Sequence, residues 1–73
     1  MAGKTKSPVL QRANRLALMT APTIGSIALS YASATDLRVL GAAESICRWR
    51  KQKDKVRVIR KHIERLRKEI KRT

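Results

Sequence analysis

In the C-terminal third of the chain, Val56, Ile59, Ile63, Leu66 and Ile70 recur at intervals alternating between three and four residues. That is the a/d spacing of an amphipathic or coiled-coil helix. No Gly or Pro falls between Arg48 and Thr73, so the pattern predicts unbroken helix there. Upstream, Leu37, Leu40, Ala43, Ile46 and Cys47 keep helical spacing, which extends the expected helix back to about residue 36. One helix over 36–71 would be about 35 residues and roughly 50 Å long, and helices of that length pack on another helix. Gly41 is its soft point.

Two shorter helices are expected before it. Ser7 and Pro8 read as N-cap and first helical residue, and Leu10, Ala13, Leu16 and Ala17 follow on one face, giving a helix over about 8–20. Thr20, Ala21 and Pro22 interrupt it, because a residue before proline is pushed out of the helical region. Ile24, Ile27, Ala28 and Tyr31 then suggest a second helix over about 23–34, poor in helix formers and dependent on packing. Ser33 or Thr35, with Asp36 behind it, supplies an N-cap for the long helix. The expected fold is all-α: two short helices packed on the long one, in a helical bundle or coiled-coil-like oligomer. Residues 1–7 read as a basic, flexible arm, and 8–73 as a single helical domain.

Charge changes the reading of the seam. The chain carries 18 Lys and Arg against 5 acids, a net +13. Thirteen of those cations lie between Arg48 and Arg72, where only Asp54, Glu64 and Glu69 oppose them. With Val56 at position a, the e positions are Lys53, Arg60 and Arg67 and the g positions are Lys55, His62 and Glu69. A parallel dimer would therefore set like charges against each other. An antiparallel pair, or docking of the seam on an apolar surface of the same chain, avoids part of that repulsion. Val56, Ile59, Ile63, Leu66 and Ile70 are the expected oligomer interface, with a homodimer the expected state.

Opposite the seam, Arg50, Arg57, Lys61, Lys68 and Lys71 or Arg72 share a solvent face. A row of cations tracking phosphates releases counterions and binds in a salt-sensitive manner with little regard for sequence. The candidate nucleic-acid contacts are Arg50, Lys53, Arg57, Arg60, Lys61, Arg67, Lys68 and Lys71. A solvated face kept for solubility is the plain alternative, but such faces mix signs. Arg12 and Arg15 would reach solvent or phosphate from the first helix. Glu64 is placed to bridge Arg60 and Lys68, and Glu69 to bridge Arg65 and Arg72.

Nothing points to catalysis, a cofactor or a metal. Seventy-three residues are short for a self-sufficient enzyme, and no Cys/His cluster has metal-ligand spacing. Cys47 on the apolar face reads as a buried, inert thiol and His62 as a bystander near the seam; Trp49 reads as a packing residue at a helix junction in preference to one that inserts beside a nucleotide or lipid headgroup.

No sequence motif of a nucleic-acid-binding family is present. In size, helicity and the cation rows of residues 48–73, the chain resembles the small viral all-helical double-stranded-RNA binders, such as nodaviral suppressors of RNA silencing. That resemblance implies a non-enzymatic protein of the host cytoplasm that reads A-form shape and phosphates. A virion protein that packages genome would share this chemistry.

A rival reading comes from Leu16 to Thr35, twenty uncharged residues in a row, the length of a membrane span. It would make the chain a small membrane or organelle-complex subunit with its basic helix on the cytoplasmic or matrix side. Pro22, Gly25 and the many Ser and Thr residues weigh against insertion. The acid-free, basic, hydroxyl-rich N-terminus has the character of a mitochondrial presequence.

Overall fold

In a computed structural model, which describes residues 8–72 and side chains through Ile70, the chain is all-helical. Four helices follow in order: α1 (Pro8–Ala17), α2 (Ala21–Ala28), α3 (Ala34–Trp49) and α4 (Lys53–Arg72). The arm expected over residues 1–7 lies outside the described residues, as does the Lys71 side chain.

The long helix expected over 36–71 is two helices, α3 and α4, folded back on each other. The longest dimension of the molecule is 39 Å, short of the roughly 50 Å a continuous helix would need. The break is made without Gly or Pro. Lys51 adopts a left-handed backbone, with φ 61°. Its N–H donates to the Arg48 carbonyl at 3.0 Å, and the Gln52 N–H donates to the Cys47 carbonyl at 2.9 Å. This is the paired bonding of a Schellman helix end, which glycine usually occupies at the left-handed position. Lysine there carries none of the usual sequence signal of a helix end. The Gln52 carbonyl then accepts from the Val56 N–H at 3.1 Å, and α4 begins.

The other boundaries also shift. α1 stops at Ala17, where the Leu18 and Met19 N–H groups bond back three residues to Arg15 and Leu16. α2 is eight residues rather than the twelve expected over 23–34. What ends it is the start of α3. Ser33 is extended, at φ −93° and ψ 166°, and forms a capping box with Asp36. The Asp36 carboxylate also accepts from the Ala32 N–H at 2.9 Å. Fixing this turn stops α2 from continuing.

Helix α4 packs on α3 and on α2, and α1 packs on α3. The core contains Ala13, Leu16 and Ala17 from α1, Ile24 and Ala28 from α2, and Tyr31 from the connection. Val39, Leu40, Ala43 and Cys47 of α3 and Ile59 and Leu66 of α4 complete it. Alanines at the contacts let the helices approach closely, and the larger aliphatic residues fill the remaining volume. The α4 seam is thus buried within one chain. Ile59 and Leu66 are fully enclosed, Val56 and Ile63 pack against the same core, and Ile70 is half-buried. Of the arrangements open to the seam, docking on the chain's own apolar surface is the one present. Its burial therefore does not require a second copy.

The stretch from Leu16 to Thr35 does not form one helix. It holds the end of α1, all of α2 and the beginning of α3, divided at Leu18–Thr20 and Leu29–Ser33. No helix among the described residues is long and apolar enough to cross a membrane.

Candidate functional site

The cations of the basic segment divide into those the fold uses and those it leaves to solvent. Lys55 Nζ donates to the carbonyl of Ala17, the last residue of α1, at 3.0 Å. Arg65 donates to the carbonyl of Ala28, the last residue of α2, at 3.0 Å. Both helices end with carbonyls that have no partner inside the helix, at the negative pole of the helix dipole, so a cation is favoured at each end. Arg65 also pairs with Glu69 at 3.1 Å, as the spacing suggests. Arg60 pairs instead with Glu44 of α3, at 3.5 Å, rather than with Glu64 on its own helix. The hairpin brings those two side chains together.

Arg12 is likewise engaged. It pairs with Asp36 at 2.8 Å and lies over the Tyr31 ring, 5.1 Å from its centre. The Ala32 N–H, the Arg12 guanidinium and the Ser33 main chain and hydroxyl hold the Asp36 pKa down at about 2, against the opposing effect of desolvation.

Six cations gather at the bend between α3 and α4, around an open groove. Arg48 and Lys51 line it from the end of α3 and the turn, and Lys53, Arg57, Arg60 and Lys61 from the first turns of α4. Val56 and Gln52 contribute the less polar part of the lining, and Glu64 is its one acid. Among the described residues, Arg60 is the one cation of the six with an acidic partner. The Gln52 side-chain oxygen is enclosed without a hydrogen-bond partner. The groove thus offers a concentrated positive field over a partly apolar surface.

Four of the eight candidate contacts, Lys53, Arg57, Arg60 and Lys61, meet in this groove. Arg50 is exposed at the C-cap of α3 and does not line it; Arg67 and Lys68 are exposed further along α4. Arg48 and Lys51 join the site although the periodicity did not single them out. A continuous helix would have carried them away from Arg57 and Arg60, whereas the left-handed turn at Lys51 folds them back.

Trp49 is not a packing residue. The last residue of α3, it is 89% exposed, with exposed Arg48, Arg50 and Lys51 around it in sequence. Cys47 is buried, and burial raises its thiol pKa. His62 has its pKa lowered, first by burial and then by Arg65 and Lys61. Its Nδ1 is enclosed and without a partner. Among the described residues no group of three or more His, Cys, Asp or Glu could hold a metal ion.

Comparison with family models, curated proteins and solved structures found no match for the chain.

Proposed function

We propose that the protein is a non-enzymatic nucleic-acid-binding protein that grips phosphates without regard to sequence, with double-stranded RNA as its first partner. The observation that carries this reading is the groove at the α3–α4 bend, where six cations face a single acid. Holding them together costs Coulomb energy that a polyanion would relieve. The groove lies where two packed helices meet at a short turn, so the backbone that carries its charges is held in place. Such an array suits a regular double-helical backbone.

A second feature supports the reading. Lys51 occupies a left-handed position where glycine would be more stable. A cation kept at a conformationally unfavourable site fits a use for its charge.

The test is a gel-shift series with duplex RNA, duplex DNA and single strands at rising salt. The reading expects duplex RNA to be retained at low salt and released steeply as salt increases. Failure to retain any nucleic acid at low salt would remove it.

A further inference from the structure

We infer that Trp49 stacks on an unpaired base beside the duplex, so that the preferred ligand is a duplex bordered by single-stranded nucleotides rather than a blunt one. This rests on the proposed phosphate-binding groove and specifies its ligand.

The ring has no role in the fold. It is 89% exposed, whereas the other large side chain of its kind, Tyr31, is buried and carries Arg12 over its face. No such cation stacking involves Trp49 among the described residues, so its faces are open. An exposed indole forgoes the burial that tryptophan ordinarily gains, and a polar residue would end α3 equally well. Leu18 and Leu29 are also exposed, at 71% and 70%, but have no charged neighbour in sequence and need no special account.

Position decides what the ring would meet. Arg48 and Lys51, on either side of Trp49 in sequence, line the groove, while Trp49 does not. A backbone seated in the groove would therefore pass beside the ring. A paired base keeps its faces inside the helical stack, but a nucleotide beyond the duplex end or in a bulge can present one to an aromatic side chain. With one tryptophan in the chain, a single ring can read one such base and no run of them.

Tryptophan among cations can also sit at an anionic lipid surface. Charge density favours nucleic acid, because six cations line one open groove with a single acid, whereas a lipid surface would instead be met by a flat apolar face.

Because Trp49 is the sole tryptophan, its fluorescence reports on this contact alone. The experiment uses the full chain with an RNA duplex of roughly 16 base pairs, blunt or carrying a short single-stranded overhang. Vesicles of phosphatidylglycerol and phosphatidylcholine form a third arm. The expected result is quenching by the overhang duplex, with the blunt duplex bound about tenfold more weakly. Trp49→Ala should equalise the two duplexes while keeping blunt-duplex affinity and helical content, and Trp49→Phe should restore most of the preference. Equal affinity for both duplexes without quenching would overturn the stacking contact and leave the phosphate groove standing. Binding of neither duplex would overturn both readings. A blue shift on vesicles without quenching by RNA would overturn stacking in favour of a lipid surface.

Discussion

Lys55 Nζ and the Ala17 carbonyl are joined by a 3.0 Å hydrogen bond across 38 positions of sequence. The bond ties the first turns of α4 to the end of α1, as Arg65 ties α4 to the end of α2. These two side chains belong to the most basic segment of the chain, yet the fold engages them.

Stability and binding should therefore separate by residue. Lys55→Met and Arg65→Met each remove a charged cap and should lower stability by about 1–2 kcal/mol, read from urea unfolding. Arg57→Gln should leave the urea midpoint in place. It should weaken duplex binding and reduce the slope of log affinity against log salt by about one.

Two glycine substitutions, one at the bend and one inside α3, separate stability from binding. Lys51→Gly relieves a left-handed lysine and should stabilise the protein by about 1 kcal/mol while weakening polyanion binding. Gly41→Ala lies inside α3, where an added Cβ meets nothing within 4 Å. It should stabilise by about the same amount with binding unchanged. Thermal melts and anisotropy titrations on the two variants separate the effects.

The fold class was legible because helical periodicity and the Thr20–Pro22 interruption are local signals. The N-cap of α3 was legible as Ser33 or Thr35 ahead of Asp36, and the capping box selects Ser33. The hairpin was missed. Apolar spacing is helical on both sides of residues 50–52, but the rows Leu40, Ala43, Cys47 and Val56, Ile59, Ile63 lie roughly 150° apart around a continuous helix, a change of phase that spacing alone does not show, and the left-handed turn is made by a lysine instead of glycine. That one turn decides which cations share a surface, so Lys53, Arg57, Arg60 and Lys61, all on α4, could be grouped from the sequence but Arg48 and Lys51 could not. Tertiary partners were hidden for the same reason: Arg60 meets Glu44 only because α4 doubles back along α3. Trp49 was read as packing because it is aromatic, but it stands between Arg48 and Arg50, about 200° around α3 from buried Cys47, and lies in solvent.

Acid should destabilise the protein in two ranges. The folded pKa of Asp36 is depressed to about 2, below the usual aspartate value near 3.9. Its contribution is therefore complete above the unfolded pKa and is lost as pH falls toward about 2. Its size is roughly 1–2 kcal/mol after allowance for solvent screening. His62 has a lowered folded pKa, so the unfolded state takes up the proton first. Stability associated with His62 is full above about pH 6.5 and declines as pH drops below it. Asp36→Asn should flatten the lower range and His62→Gln the upper one in urea midpoints measured against pH.

Core substitutions test whether the seam belongs to a single chain. Leu66→Ala should cost about 2–5 kcal/mol, and Ile63→Asp should unfold the protein by placing a charge against the core. Because the seam is enclosed by α2 and α3 of the same chain, the melting temperature of Leu66→Ala should shift equally at low and high protein concentration. A loss that disappears at high concentration would show that the seam closes between copies.

The most direct test of the groove is charge reversal on its exposed wall. Arg57→Glu with Lys61→Glu should keep native helical content and melting behaviour while lowering duplex-RNA affinity by at least about a hundredfold at low salt. The same reversal at Arg67 and Lys68, outside the groove, should have a much smaller effect. Equal losses from the two pairs, or unchanged affinity in the first, would contradict a binding surface centred on the α3–α4 bend.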